Sequence, residues 1–329
     1  LTPDFHRRDQ LVQATFLDFR TVSHDDIDPA PLEATGVELK MFDVTSDDEL
    51  EARLEPAQIL ITNKIRLDKQ RLALAPRLEL ICLAATGTDN VDLEVARRRG
   101  IGVCNIVGYC TQSVVQHVFA VILALTHHLD GYGNLLRRGA WRDSPQFCLL
   151  DFPIRELSGR TLGIIGLGQL GSAVATIGRA FGMRVLAARR TDAHLEEDDR
   201  VPLEELLRQS DVLSLHCPLT AENRGLIGAG ELEMMKPDAL LINTARGGLV
   251  DSAALADALR AGRIGGAAVD VLPQEPPVDG DPLLAEDIPN LIVTPHIAWA
   301  AREARQRAVN EIAANIDSYL SGGRRCRIV

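Results

Sequence analysis

The sequence predicts an α/β protein with two doubly wound parallel-sheet domains, Rossmann-like and flavodoxin-like in class, with a cleft between them. Three observations predict it. Short apolar segments alternate with polar helical ones over the first hundred residues. The alternation stops at a long apolar segment and starts again at residue 161. A glycine-rich turn opens that second series in mid-chain, after a complete βα domain. Strands with continuous apolar runs are typical of a parallel sheet covered on both faces.

The first series has strand-like pieces "ATFLDF" (14–19), "VELKMF" (37–42), "AQILIT" (57–62), "LELICLAAT" (78–86) and "GVCNI" (102–106). Helical candidates lie between them at 46–54, 68–75 and 92–100. Ser46 with Glu49 three residues on predicts a capping box. The segment "TQSVVQHVFAVILALTHHL" (111–129) is too densely apolar for a one-sided surface helix, so burial between domains or at a subunit interface is expected. Residues 131–159 have weak periodicity and many turn residues, and read as an excursion or arm.

The second series has strands at 161–167, 183–188, 211–217, 239–245, 265–272 and 290–295. "SAALADALRAG" shows helical spacing and a closing Gly262. Residues 300–323 read as one amphipathic helix. If it crosses back to the first domain, that domain is discontinuous: 1–104 plus 299–329, with 105–298 as the second domain and an arm at about 130–155.

Composition bounds the function. The chain has 329 residues, 46% hydrophobic and 25% charged, and a net charge of −11. Such an acidic chain is a poor partner for nucleic acid or an anionic membrane surface. The six cysteines form no CxxC pair or metal-like cluster, so no metal is expected and a reducing compartment is. Nothing at the start reads as a signal peptide, and no apolar run is long enough to span a bilayer. A cytoplasmic protein is the expectation.

"GLGQLG" places Gly166, Gly168 and Gly171 in G-x-G-x-x-G spacing between a strand and a helix. The first glycine permits the tight turn, the second lets backbone approach a pyrophosphate, and the third packs helix on strand. N–H groups of the helix start, at Gln169 and Leu170, then face the phosphates. Three ionisable residues follow later strands: Arg246 in "NTARGG", Glu275 in "DVLPQEPP" and His296 in "TPHIAW". Strand C-termini are where ligands bind in such sheets. A guanidinium can hold a 2-oxo acid by its carboxylate. An imidazolium can donate a proton to the carbonyl oxygen as hydride arrives, and a carboxylate beside the ring would orient it.

These motifs, in this order, resemble the D-isomer specific 2-hydroxyacid dehydrogenases over nearly the whole chain. "ATGTDNVD" (85–92) and "HCPLT" (216–220) add to the likeness. Within the family, "SPQFCLLDFP" and "HIAWAAREARQR" are most similar to bacterial glycerate dehydrogenases, also called hydroxypyruvate reductases. The resemblance implies Arg246, Glu275 and His296 as catalytic residues. It implies Asn63, Lys64 and Gly87, with Arg246 and His296, as substrate contacts. Cys217, Pro218, Thr244, Ala245, Arg246, Asp270, His296 and Ala298 would line the cofactor. It also implies a homodimer embraced by the arm around Trp141. The chemistry expected is reduction of hydroxypyruvate or glyoxylate; a phosphoglycerate dehydrogenase-like enzyme and a nucleotide-sensing corepressor are the alternatives. Two departures stand out. Gln116-His117 replaces the Glu-His found in many members. Arg189, followed by Arg190, stands where members that use NAD carry Asp. An arginine there removes repulsion of a 2′-phosphate and can grip it, so NADP(H) is favoured over NAD(H).

Overall fold

The structure is a computed structural model that describes residues 11–189 and 200–329. The chain divides into two compact units, one of Leu1–Cys110 with Trp299–Val329 and one of Thr111–Ala298. The first unit runs past residue 104 because Ile106 and Tyr109 are buried in its core beside Ile312 and Ile316.

In the first unit, β1 (Gln13–Phe16), β2 (Glu38–Met41), β3 (Ile59–Thr62), β4 (Leu80–Leu83) and β5 (Gly102–Cys104) form a wholly parallel sheet. The order β2-β1-β3-β4-β5 is flavodoxin-like. β3 shows why its first three residues are all apolar. Ile59 and Ile61 enter one core with Phe16 and Leu80, and Leu60 enters the opposite core with Leu54 and Ile81. Burying each such side chain contributes roughly 1.5–3 kcal/mol. Four helices connect the strands: α1 (Ala30–Glu33), α2 (Asp47–Leu54), α3 (Lys69–Ala73) and α4 (Leu93–Arg99). At the start of α2, the Ser46 N–H donates to Glu49 Oε2 at 3.1 Å, the contact that a capping box requires.

The second unit opens with α5 (Thr111–Thr126) and α6 (Leu129–Arg137). Then come β6 (Thr161–Ile165), α7 (Gln169–Ala180), β7 (Arg184–Ala188), β8 (Arg200–Val201), α8 (Leu203–Gln209) and β9 (Val212–Leu215). α9 (Ala229–Met234), β10 (Leu240–Asn243), α10 (Ser252–Arg260), β11 (Gly266–Val269) and β12 (Leu291–Val293) complete it. All neighbours in this sheet are parallel, in the order β12-β11-β10-β9-β6-β7-β8. That is the Rossmann order with an added seventh strand. One face of α5 is buried, including Val114, Val118 and Ile122, and it packs on α7, β10 and β11.

Two elements lie outside the sequence expectation. β8 is a two-residue edge strand, too short to carry a pattern. α6 opens the stretch expected as an excursion, because Leu129, Tyr132 and Leu136 recur at helical spacing despite Gly131 and Gly133. The last helix, α11 (Arg302–Leu320), covers the first sheet with Ala308, Ile312 and Ile316. Among the described residues no helix is long and apolar enough to cross a membrane.

Candidate active site

The strand order of the second sheet reverses between the paired β6 and β9, with β7 and β8 on one side and β10 to β12 on the other. The loops after those two strands meet there. Gly166 follows β6 with φ +97, and a Cβ on it would lie 2.6 Å from the backbone of Cys217. Only glycine satisfies both the angle and the approach. Gly171, in the first turn of α7, packs on the Gly166 carbonyl. Gly168 differs: among the described residues, its chain neighbours apart, nothing lies within 4 Å of where its Cβ would be. Gln169 and Leu170 follow as the first residues of α7, so their N–H groups have no partner within the helix.

Arg189 is the first residue beyond β7. Its N–H donates to the Val201 carbonyl at 2.8 Å and its guanidinium reaches the Arg200 carbonyl at 3.4 Å, with the side chain exposed. Arg190 lies outside the described residues. After β9, the His216 N–H donates to the Ile165 carbonyl at 2.7 Å, and the ring Nε2 lies 2.8 Å from Ser214 Oγ. Burial pushes the His216 pKa down to about 4, so the ring is neutral at pH 7. Burial also pushes the neighbouring Cys217 thiol up. Pro218 follows, its carbonyl accepting from Asn223 Nδ2 at 2.8 Å.

Beyond β10 the chain makes a tight turn that carries Arg246. Asn243 holds it: its Oδ1 accepts from the Ala245 N–H at 3.1 Å, and its Nδ2 donates to the Arg246 carbonyl at 3.0 Å. The Arg246 guanidinium donates to the Ala245 carbonyl at 2.8 Å. The Thr244 hydroxyl is buried and has no hydrogen-bond partner among the described residues. Gly247 packs directly on the backbone of Leu272 and Pro273, which leaves no space for a Cβ. The Arg246 turn is therefore seated against the loop that carries Glu275. That loop is braced by the Leu272 N–H, which donates to Glu275 Oε1 at 2.9 Å.

The other carboxylate oxygen, Glu275 Oε2, lies 2.6 Å from His296 Nδ1. His296 follows β12 with φ +55, a region that non-glycine residues rarely occupy. Its N–H donates to the Asp270 carbonyl at 2.8 Å. The buried Asp270 carboxylate accepts from Thr294 Oγ1 at 2.5 Å, the Ile297 N–H at 2.8 Å and the Ala298 N–H at 2.9 Å. Asp270 thus clasps the whole loop around His296.

Arg246, Glu275, His296, Thr244, Ala245, Asp270, Cys217 and Ala298 all lie at the C-terminal rim of the second sheet. Asn63, Lys64 and Gly87 belong to the first unit, where Asn63 and Lys64 follow β3 and Gly87 follows β4. Sequence reasoning missed the residues that hold these in place. Asp18, buried at the end of β1, accepts from the Asn63 N–H at 2.9 Å and the Lys64 N–H at 2.7 Å. Its one sequence signal is a carboxylate interrupting "FLDF". Asn243, Thr294 and Ser113 carry no comparable signal, and His117 stands out only through the Gln116-His117 departure.

Residues 119–298 match the family model described as "D-isomer specific 2-hydroxyacid dehydrogenase, NAD binding domain". The glycerate dehydrogenase of Methylorubrum extorquens is 47% identical over 87% of this chain and 90% of its own. The hydroxypyruvate reductase of Blautia hydrogenotrophica is 37% identical, over 93% of this chain and 96% of its own. An acyclic imino acid reductase solved in complex with NADPH and D-Arg superimposes with a TM-score of 0.85 at 29% identity. It covers 97% of this chain and 100% of that one.

Proposed function

Because the chain belongs to the D-isomer specific 2-hydroxyacid dehydrogenase family, we propose that it reduces a small 2-oxo acid, hydroxypyruvate or glyoxylate, to the D-2-hydroxy acid. The observation that carries this is the 2.6 Å contact of His296 Nδ1 with Glu275, on the rim that also bears the Arg246 turn. The carboxylate orients the ring and balances its charge when protonated. With Nδ1 so engaged, Nε2 is the atom that hands a proton to the carbonyl oxygen of the substrate. Arg246 binds the substrate carboxylate through its planar fork. In the oxidative direction, neutral His296 takes the proton back.

The residues fit a nicotinamide dinucleotide. The space at Gly168 and the Thr244 hydroxyl, neither of which the described residues fill or bond, are places where a ligand would complete the packing and hydrogen bonding. Gly168, Gln169 and Leu170 would hold the pyrophosphate, and Thr244, Ala245, Asp270 and Ala298 would border the ring, whose chemistry is hydride donation. Exposed Arg189 at the end of β7 favours NADP(H) over NAD(H). A charge-assisted hydrogen bond to a 2′-phosphate contributes about 1.5–3 kcal/mol, or about tenfold to a hundredfold. Asn63, Lys64 and Gly87 are further proposed substrate contacts.

The working form is a homodimer. The segment after α6 exposes Trp141 at 52%, Phe147 at 90% and Leu150 at 78%, apolar side chains that a second copy would cover. Six free cysteines suit a cytoplasmic setting.

A steady-state panel of 2-oxo acids with each reduced cofactor tests these points together. Turnover of hydroxypyruvate or glyoxylate is expected, with kcat/KM at least tenfold higher for NADPH. Arg189→Asp should reverse that ratio. Absence of turnover with every 2-oxo acid overturns the proposal.

A further inference from the structure

One face of α5 grips the loop that carries His296. Ser113 and His117 lie one helical turn apart and so project from the same side. Ser113 Oγ donates to the Ala298 carbonyl at 2.7 Å. His117 Nε2 lies 3.3 Å from Thr294 Oγ1 and 3.9 Å from Asp270 Oδ1. Donor bookkeeping orients this contact. Thr294 has one hydroxyl hydrogen, and Asp270 takes it at 2.5 Å. The hydroxyl oxygen must then accept, so His117 carries a proton on Nε2. The result is a directed chain from His117 through Thr294 to Asp270, whose carboxylate is 1% exposed.

We propose that His117 is a positioning residue for proton transfer at His296, acting through Thr294 and Asp270. His296 keeps φ +55, a strained setting that persists only while its surroundings hold it. Asp270 supplies that hold through the N–H groups of Ile297 and Ala298 and through its own carbonyl. His117 and Thr294 fix the Asp270 carboxylate in turn. Without them the loop relaxes, and the imidazole loses its aim at the carbonyl oxygen before it loses affinity for substrate or cofactor. The inference rests on the function proposed above.

The test is His117→Leu, which keeps bulk and removes the donor, beside His117→Gln, whose amide can donate to Thr294. His117→Leu should lower kcat about tenfold to a hundredfold, the scale expected for a misplaced catalytic group, with KM and NADPH affinity changed less than about threefold. His117→Gln should recover most of the loss. Thr294→Val should match His117→Leu, Thr294→Ser should not, and the double variant His117→Leu/Thr294→Val should be no worse than either single change. Near-normal kcat in His117→Leu, equal loss in His117→Gln, or additive loss in the double variant overturns the proposal. The ¹⁵N resonances of the His296 ring give a readout free of turnover. They should shift in His117→Leu and stay in His117→Gln, and no shift in either overturns the coupling. A wild-type chain without turnover whose His296 resonances still respond to His117→Leu sinks the proposed function and leaves the coupling standing.

Discussion

The strand order of the two sheets reverses at equivalent places, between β1 and β3 in the first unit and between β6 and β9 in the second. In the first, the place is filled from within. Asp18 sends its carboxylate under successive backbone N–H groups of Asn63, Lys64 and Ile65, at 2.7 to 3.3 Å, and accepts the Thr62 hydroxyl at 3.1 Å. Such a run of N–H groups is an anion nest, and the protein has supplied its own anion. In the second, glycines replace the side chain, and among the described residues nothing fills the space at Gly168. Each place also carries a titratable group whose charge burial opposes. Burial raises the Asp18 carboxyl from its ordinary value, against the pull of the three N–H groups, and lowers His216 to about 4. One topology thus yields a self-satisfied joint in one unit and a ligand-ready rim in the other. Whether the loop after the first strand ends in a carboxylate or in glycines decides which.

The contrast can be broken most sharply at the open rim. His296→Ala should lower kcat by about 10²–10⁴-fold, the usual span for a general acid, while NADPH affinity by fluorescence titration stays within about threefold. Near-normal turnover would place the proton donor elsewhere. At the closed joint, Asp18→Ala should cost about 3–5 kcal/mol of stability, because several buried N–H groups lose their acceptor at once. Thermal unfolding would register this, and an unchanged midpoint would mean that the nest is filled another way.

His216 makes a smaller and pH-dependent effect. Its folded-state pKa of about 4 lies below the ordinary 6.5. The unfolded chain therefore binds a proton in that window that the folded one refuses, and stability falls as pH drops from about 6.5 to about 4. The contribution is at most about 3 kcal/mol. His216→Gln should flatten this part of the profile in denaturant titrations at pH 7 and pH 4.5, and an equal slope in both proteins would count against it. The smallest change is Gly168→Ala. With nothing among the described residues within 4 Å of the new Cβ, stability should stay within about 0.5 kcal/mol. Cofactor affinity should fall about tenfold or more as the methyl enters space meant for the pyrophosphate. Unchanged affinity would show that the open space is not a phosphate seat.

Much of this was legible beforehand because burial leaves a local pattern. A strand covered on both faces is apolar at successive positions, as in Ile59, Leu60 and Ile61, and that shows without knowing its neighbours. The glycine spacing at 166, 168 and 171 was legible for a similar reason: one turn between one strand and one helix imposes it. α6 and β8 were not. The first hides helical spacing behind two glycines, and the second is two residues long and defined by its pairing with β7 alone.

By itself the sequence determined that there are two βα series and a glycine turn at the head of the second. It also determined that Arg246, Glu275 and His296 each follow a strand. These are properties of contiguous segments, set by period and turn chemistry. Only the tertiary structure decided what those residues meet. Glu275 finds His296, Gly247 seats the Arg246 turn on the Glu275 loop, and Asp18 fills the nest at Asn63–Ile65. His117 reaches Thr294 from 177 positions away. Contacts of that span depend on strand order and on which loops share a rim, and no stretch of sequence carries either.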